Sequence, residues 1–133
     1  MLKSKELRVG NLVKCAKHLP IGFHAPKLVY AEVVEVREAS VETNEGVYKY
    51  RNLGPLKLTE EILFKTGGVK NEDNEYTIKT HHIHYPNITL IEENGFFYLS
   101  DGNKNKVGMA FDSVHHLQNL YFILTNTDLP IRV

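Results

Sequence analysis

Ile88-Thr89-Leu90-Ile91-Glu92-Glu93, then Asn94-Gly95, then Phe96-Phe97-Tyr98-Leu99-Ser100 is the stretch that decides the fold. Asn-Gly supplies the two positive-φ residues of a type I′ turn, whose twist matches that of the flanking strands. With a two-residue loop, Glu93 faces Phe96, Ile91 faces Tyr98 and Leu90 faces Leu99. Downstream, Asp101 to Lys106 reads as a second turn and Val107 to Phe111 as a further strand, which makes an antiparallel meander. Asp112 is then expected to cap a helix through about Leu124, with Val114, Leu117, Tyr121 and Leu124 at helical spacing. Leu120, Phe122 and Ile123 widen that stripe until the last turn and a half is apolar almost all round. A helix apolar on every side must be covered on every side. Either the two halves of the chain sandwich it, or Leu120, Phe122 and Ile123 form a self-association interface.

Upstream of the hairpin, Tyr76 to Tyr85 reads as extended, after a polar loop at Asn71 to Asn74. Before that loop comes a short helix. Thr59 can cap it, and Glu60 and Glu61 suit the positive end of its dipole. Lys65 falls in the last turn and Gly67-Gly68 supplies a left-handed exit. The first half reads as short strands: Arg8 to Lys14 (open to a break at Gly10-Asn11), Val29 to Arg37, Ser40 to Thr43 and Val47 to Tyr50. A long connection from Cys15 to Lys27 separates the first two, and Asn44-Glu45-Gly46 suits a tight hairpin between the last two. The fold class expected is α+β: an SH3-like small barrel in residues 1–55, then in 56–133 a helix, an antiparallel β-meander and a C-terminal helix packed on it.

At 133 residues, with 42% hydrophobic and 24% charged residues, the composition is that of a globular domain. Sixteen Lys and Arg balance sixteen Asp and Glu, so bulk charge points neither to nucleic acid nor to an anionic membrane. Cys15 is the only cysteine, which excludes an intramolecular disulfide and thiolate metal clusters. The longest apolar run, Leu120 to Leu124, is far short of the roughly 20 residues that cross a bilayer. The opening residues lack the apolar stretch of a secretory signal. A cytoplasmic protein without a membrane anchor is expected.

Three patches resemble a family of small proteins of phages and prophages of gut Bacteroidota. They are Glu6-Leu7-Arg8-Val9-Gly10-Asn11-Leu12-Val13, Pro55-Leu56-Lys57-Leu58-Thr59-Glu60-Glu61-Ile62-Leu63 with Gly67 behind it, and Val114-His115-His116-Leu117-Gln118-Asn119-Leu120-Tyr121-Phe122-Ile123-Leu124-Thr125. The patches cover about a quarter of the chain. The sequence departs from the family at His116, where glutamine is usual, and at Asn126-Thr127-Asp128-Leu129, where a Gly-Glu-Glu-Leu tail is usual. The resemblance implies a genomic setting, the cytoplasm of a phage's host, rather than a mechanism.

No convincing catalytic set emerges. On an extended strand His82 and His84 would point to one side, and His115 could supply a third ligand for zinc, which takes three or four. The same residues equally fit a solvated strand face and a hydrogen-bonded helix start. Cys15 with His18 or His24 as base is a nucleophile arrangement, but a lone cysteine beside a strand is commonly a small buried hydrophobe. Glu60-Glu61 and Glu92-Glu93 are adjacent pairs rather than facing carboxylates, and Gly67-Gly68-Val69-Lys70 lacks phosphate-loop spacing.

Charge distribution says more than net charge. Leu7 to Ala31 has no acidic residue and carries Arg8, Lys14, Lys17 and Lys27, whereas Glu32 to Glu75 holds ten acidic against six basic residues. Lys14, Lys17, His24, Lys27 and Tyr30 are therefore the candidate ligand-binding residues, an anion-facing lip with an aromatic for stacking. The expectation is a non-enzymatic accessory protein without a cofactor, engaging a host protein or sequestering a small anionic nucleotide. A nucleic-acid-associated SH3-like module, disfavoured by the zero net charge, and a histidine-metal hydrolase are the alternatives.

Overall fold

A computed structural model describes residues 2–17, 27–72 and 74–131. Its elements are β1 (Leu12–Lys17), β2 (Lys27–Val36), β3 (Ser40–Thr43), β4 (Gly46–Lys49), β5 (Leu53–Pro55), α1 (Glu60–Lys65), β6 (Val69–Glu72), β7 (Glu75–Lys79), β8 (Asn87–Glu93), β9 (Phe96–Ser100), β10 (Lys106–Phe111) and α2 (Val114–Thr125), with single 3-10 turns at Ser4–Glu6 and Tyr50–Asn52. The class is α+β. Two open five-stranded antiparallel sheets run in the orders β4-β3-β2-β1-β5 and β10-β9-β8-β7-β6. The chain divides into two units: Met1–Leu56 with Ser113–His115, and Lys57–Asp112 with His116–Val133.

In the first unit the two-residue period of strands sorts the side chains. Val13, Cys15, Ala31, Val33 and Val41 are buried, joined by Leu2, Leu7 and Leu53, with Val36, Tyr48 and Tyr50 packed at the margin. Gly10 breaks the first strand, at φ +94°, so β1 starts only at Leu12. Asn11 closes that turn by accepting the Arg8 N–H on Oδ1 at 2.7 Å. Asn44, in the β3–β4 turn, exchanges backbone and side-chain hydrogen bonds with Glu32 and so pins the hairpin to β2. The β2–β3 ladder shifts register between Val33 and Glu35, which leaves Glu35 directly opposite Glu42. Like charges at such a rung repel. Arg37 relieves this by reaching both carboxylates, at 2.9 and 2.8 Å.

In the second unit α1 forms as its end signals dictate. Thr59 accepts from the Ile62 N–H, and the exit is a Schellman motif, with Gly67 N–H on Phe64 O and Gly68 N–H on Leu63 O. The β8–β9 hairpin has the expected register, Glu93 against Phe96 and Leu90 against Leu99, with Asn94 and Gly95 at φ 55° and 84°. The core gathers Leu58, Leu63, Tyr76, Ile78, Ile88, Leu90, Phe97, Leu117 and Tyr121.

Four expectations need correction. The polar loop expected at Asn71 to Asn74 begins only after Glu72, since Asn71 and Glu72 complete β6. The extended segment from Tyr76 stops at Lys79 rather than reaching Tyr85. Residues 80–86 instead close a loop, Thr80 N–H bonding to Pro86 O and Thr80 Oγ1 to Tyr85 O. Asp112 does not flank the last helix, which starts at Val114. Its carbonyl is taken by the Leu58 N–H at 2.7 Å, because the strand before the helix ends in pairing rather than capping. The strand from 107 to 111 is not regular. Gly108, at φ +77°, opens a bulge between the Val107–Leu99 and Phe111–Phe97 rungs and leaves Met109 90% exposed. Such bulges twist an edge strand away from further pairing.

Candidate functional site

The β1–β2 ladder brings four of the five sequence-predicted ligand residues onto one ribbon. Lys14 is the Cα partner of Tyr30, and three rungs away Lys17 is the partner of Lys27. His24 lies outside the described residues. Alternation carries Val13 and Cys15 into the core, so Lys14 and Tyr30 share the opposite, solvent face. Tyr30 is 66% exposed. On its other side Lys14 pairs with Gly54 of β5. A Cβ at Gly54 would meet nothing within 4 Å. The result is a row across three strands: an aromatic ring, an ammonium and a bare stretch of backbone. Sequence reasoning missed Gly54, since nothing local says which strand a glycine will pair with. Glu32 stands on the same face two residues beyond Tyr30, opposite Leu12 and at the far end from the Lys17–Lys27 rung. The carboxylate of Glu32 thus marks one end of this face.

The histidines are placed differently. His82 and His84 do approach each other, with ring centroids 5.7 Å apart, but as part of the 80–86 loop rather than by strand alternation. His82 N–H donates to Thr80 Oγ1, and His82 Nδ1 accepts the His84 backbone N–H at 3.1 Å. An Nδ1 that accepts a hydrogen bond leaves Nε2 as the protonated nitrogen of the neutral His82 ring. His115 belongs to the first unit, where it is 1% exposed and its Nε2 lies 3.7 Å from Glu6 Oε2, whereas His82 and His84 belong to the second.

Cys15 is fully buried, and that burial pushes its thiol pKa above the ordinary 9.0, against the lowering effect of a hydrogen bond with Thr43. A nucleophilic cysteine needs the reverse shift and access to solvent. Of the candidate interface residues, Leu120 and Phe122 are half-buried, while Ile123 is 77% exposed. No helix among the described residues is long and apolar enough to cross a membrane.

In the second unit Glu60 is hydrogen-bonded to Lys70 and Tyr76, and the Lys70 ammonium, ahead of the Tyr76 hydroxyl, holds its carboxyl below the usual range. Both partners pack within the α1–β6–β7 corner, so this is a brace rather than a poised acid. Asp101 is also held below its ordinary value, first by the Asn105 side chain and then by the Asn103 backbone N–H. A cleft of about 440 Å³ opens beside it, between the start of β8, the end of β9 and Leu124 of α2. Sequence reading gave no sign of it, because its walls are the ends of strands and a loop. No family model matches the chain, and no similar curated protein or solved structure was found.

Proposed function

We propose that the protein is a non-enzymatic binding module whose β1–β2 face takes a small anionic ligand carrying a flat ring, of the nucleotide class. The observation that carries this reading is the Gly54–Lys14–Tyr30 row. An exposed tyrosine offers a stacking face, the ammonium beside it a partner for phosphate, and the missing Cβ room for a planar group to lie against the strands. The anionic end of the ligand lies at Lys14, away from Glu32. Among the described residues Lys14 makes no ion pair and Tyr30 no side-chain hydrogen bond, so neither is committed to the fold.

Within this reading the first half is an SH3-like module. Its support is the strand order, with β5 returning to pair with β1 after the 3-10 turn at Tyr50–Asn52. The resemblance to small phage and prophage proteins fits sequestration of a host's nucleotide signal. A longer nucleic acid would use the same row, but with zero net charge the chain offers few further phosphate contacts.

The test is an NMR titration of the full chain with a panel of ribonucleotides. Saturable shifts are expected at Lys14, Tyr30 and Gly54. Gly54→Val should abolish them while leaving the spectrum dispersed, because Gly54 lies in a strand, does not occupy the left-handed region and has open space for a Cβ. Nucleotides that bind none of these positions, or bind Gly54→Val equally well, would refute the reading.

A further inference from the structure

We propose that the cleft in the second unit is a separate binding site, for a small organic cation with an aromatic or branched apolar body. Its volume of about 440 Å³ falls in the range of small-molecule sites, about 300–1,000 Å³. Ile88, Leu99 and Leu124 supply its apolar lining, and Tyr85, 47% exposed, supplies an aromatic wall. Asp101 is the one charged side chain among the lining residues.

That charge is not spent elsewhere. Asp101 Oδ1 accepts the backbone N–H groups of Asn103 and Asn105, and Oδ2 accepts Asn105 Nδ2. These neutral donors fix the carboxylate and favour its ionised form without cancelling its charge. The two nearby lysines of the following turn and strand are committed to other carboxylates, Lys104 to Glu72 and Lys106 to Glu93. Among the described residues no cation lies within ion-pair distance of Asp101. A carboxylate oxygen retains an open lone pair after one hydrogen bond, so Oδ2 can take one more donor. An ammonium satisfies it, and the tyrosine lining the same cleft favours the same charge.

Both lips of the cleft are pinned before any ligand arrives. On one side Thr80 ties the 80–86 loop to Tyr85 and Pro86. On the other, the Asp101 bonds and Gly102, at φ +91° with its N–H on Ser100 Oγ, fix the β9–β10 turn. Preorganised walls reduce the ordering cost of binding. Asn87, on the rim, makes no side-chain hydrogen bond among the described residues and adds a neutral polar contact. An anion is excluded on the same grounds that admit the cation.

Tryptamine serves as the probe, with tryptophol as its uncharged and indole-3-acetate as its anionic counterpart. The readout is amide shifts at Leu99, Gly102 and Leu124 of the full chain. Tryptamine is expected to bind saturably, about tenfold or more tighter than tryptophol, the discrimination typical of one charged hydrogen bond. Indole-3-acetate should bind weakest of the three. Asp101→Asn should collapse the amine's advantage over the alcohol, and Leu124→Trp should block all binding by filling the cleft. Equal affinity for tryptamine and tryptophol in the native chain, absence of saturation with tryptamine, or an unchanged preference in a folded Asp101→Asn variant would each overturn the proposal.

Discussion

Cys15 shows how much one strand position decides. The cysteine sits fully buried at an inward rung of β1, where Thr43 Oγ1 already donates to Gly46 O and accepts the Glu45 N–H. Cys15→Ser should cost about 1–3 kcal/mol by chemical denaturation, because a hydroxyl in that site is poorly paired and more polar than the thiol it replaces. Thiol reagents should label the native chain only as fast as it opens, which a labelling rate that tracks denaturant would establish. The same burial sets an alkaline limit. Cys15 lies above its ordinary 9.0, and Tyr76 above its ordinary 10.0 through burial first and Glu60 second. An acid whose folded value is raised contributes stability that is complete below the unfolded value and fades as pH climbs through the folded one. Between neutrality and about pH 9 thermal melts should therefore hold steady and above it fall, with Cys15→Ala and Tyr76→Phe each blunting the fall. The reading of Cys15 as a small buried hydrophobe needed only its place, as a lone cysteine, beside a strand. The placement of His82 and His84 on a strand failed because no local pattern announces that Thr80 will close a loop.

At the scale of elements, what was legible is what local chemistry enforces. Asn94-Gly95 sets the turn, the turn sets the register, and the register places Phe97 against the core. Asn94→Ala should destabilise the protein by about 1 kcal/mol, since alanine resists the φ of 55° that asparagine tolerates. Gly67-Gly68 was equally legible as a helix exit, yet the two glycines serve different needs. Gly67 needs its φ of +84°. Gly68 has an ordinary φ, but a Cβ there would lie 2.8 Å from the Leu63 carbonyl oxygen. Gly68→Ala should therefore lower the melting temperature through a backbone clash that no propensity scale anticipates. The last turn and a half of the final helix reads as apolar almost all round, yet burial along the helix is graded. Leu117 is fully buried while Ile123 is 77% exposed. Leu117→Ala should cost about 2–5 kcal/mol, and Ile123→Ser should stay within about 0.5 kcal/mol. The bulge at Gly108 was illegible, because Val107 to Phe111 alternates no worse than a regular edge strand and the extra residues appear only against β9.

For the molecule as a whole, charge is arranged locally rather than summed. The zero net charge hides a basic span before Ala31 and an acidic one after it, and the pairing of the β1–β2 ribbon sets Lys14 beside Tyr30 with Glu32 two residues on. No sequence pattern marks the return of Ser113–His115 to the first unit, where Val114 N–H bonds to Leu56 O at 2.8 Å, since pairing across half the chain leaves no local trace. Outside that ribbon the ion pairs Lys65–Glu61, Lys70–Glu60, Lys104–Glu72 and Lys106–Glu93 are substantially exposed. Exposed pairs contribute little net stability and are screened by salt. The melting temperature should accordingly move only slightly between low and high sodium chloride. Binding at Lys14 has no such indifference, because an ammonium facing a phosphate across a half-exposed row is a screened attraction in water. Nucleotide affinity should fall steadily over the same salt range in which the fold is unmoved, and Lys14→Gln should flatten that dependence while Tyr30→Ala weakens binding at every salt concentration. Parallel salt series of thermal melts and titrations separate the two. A salt-independent affinity would place the ligand's anionic group away from Lys14 and leave stacking on Tyr30 as the whole interaction.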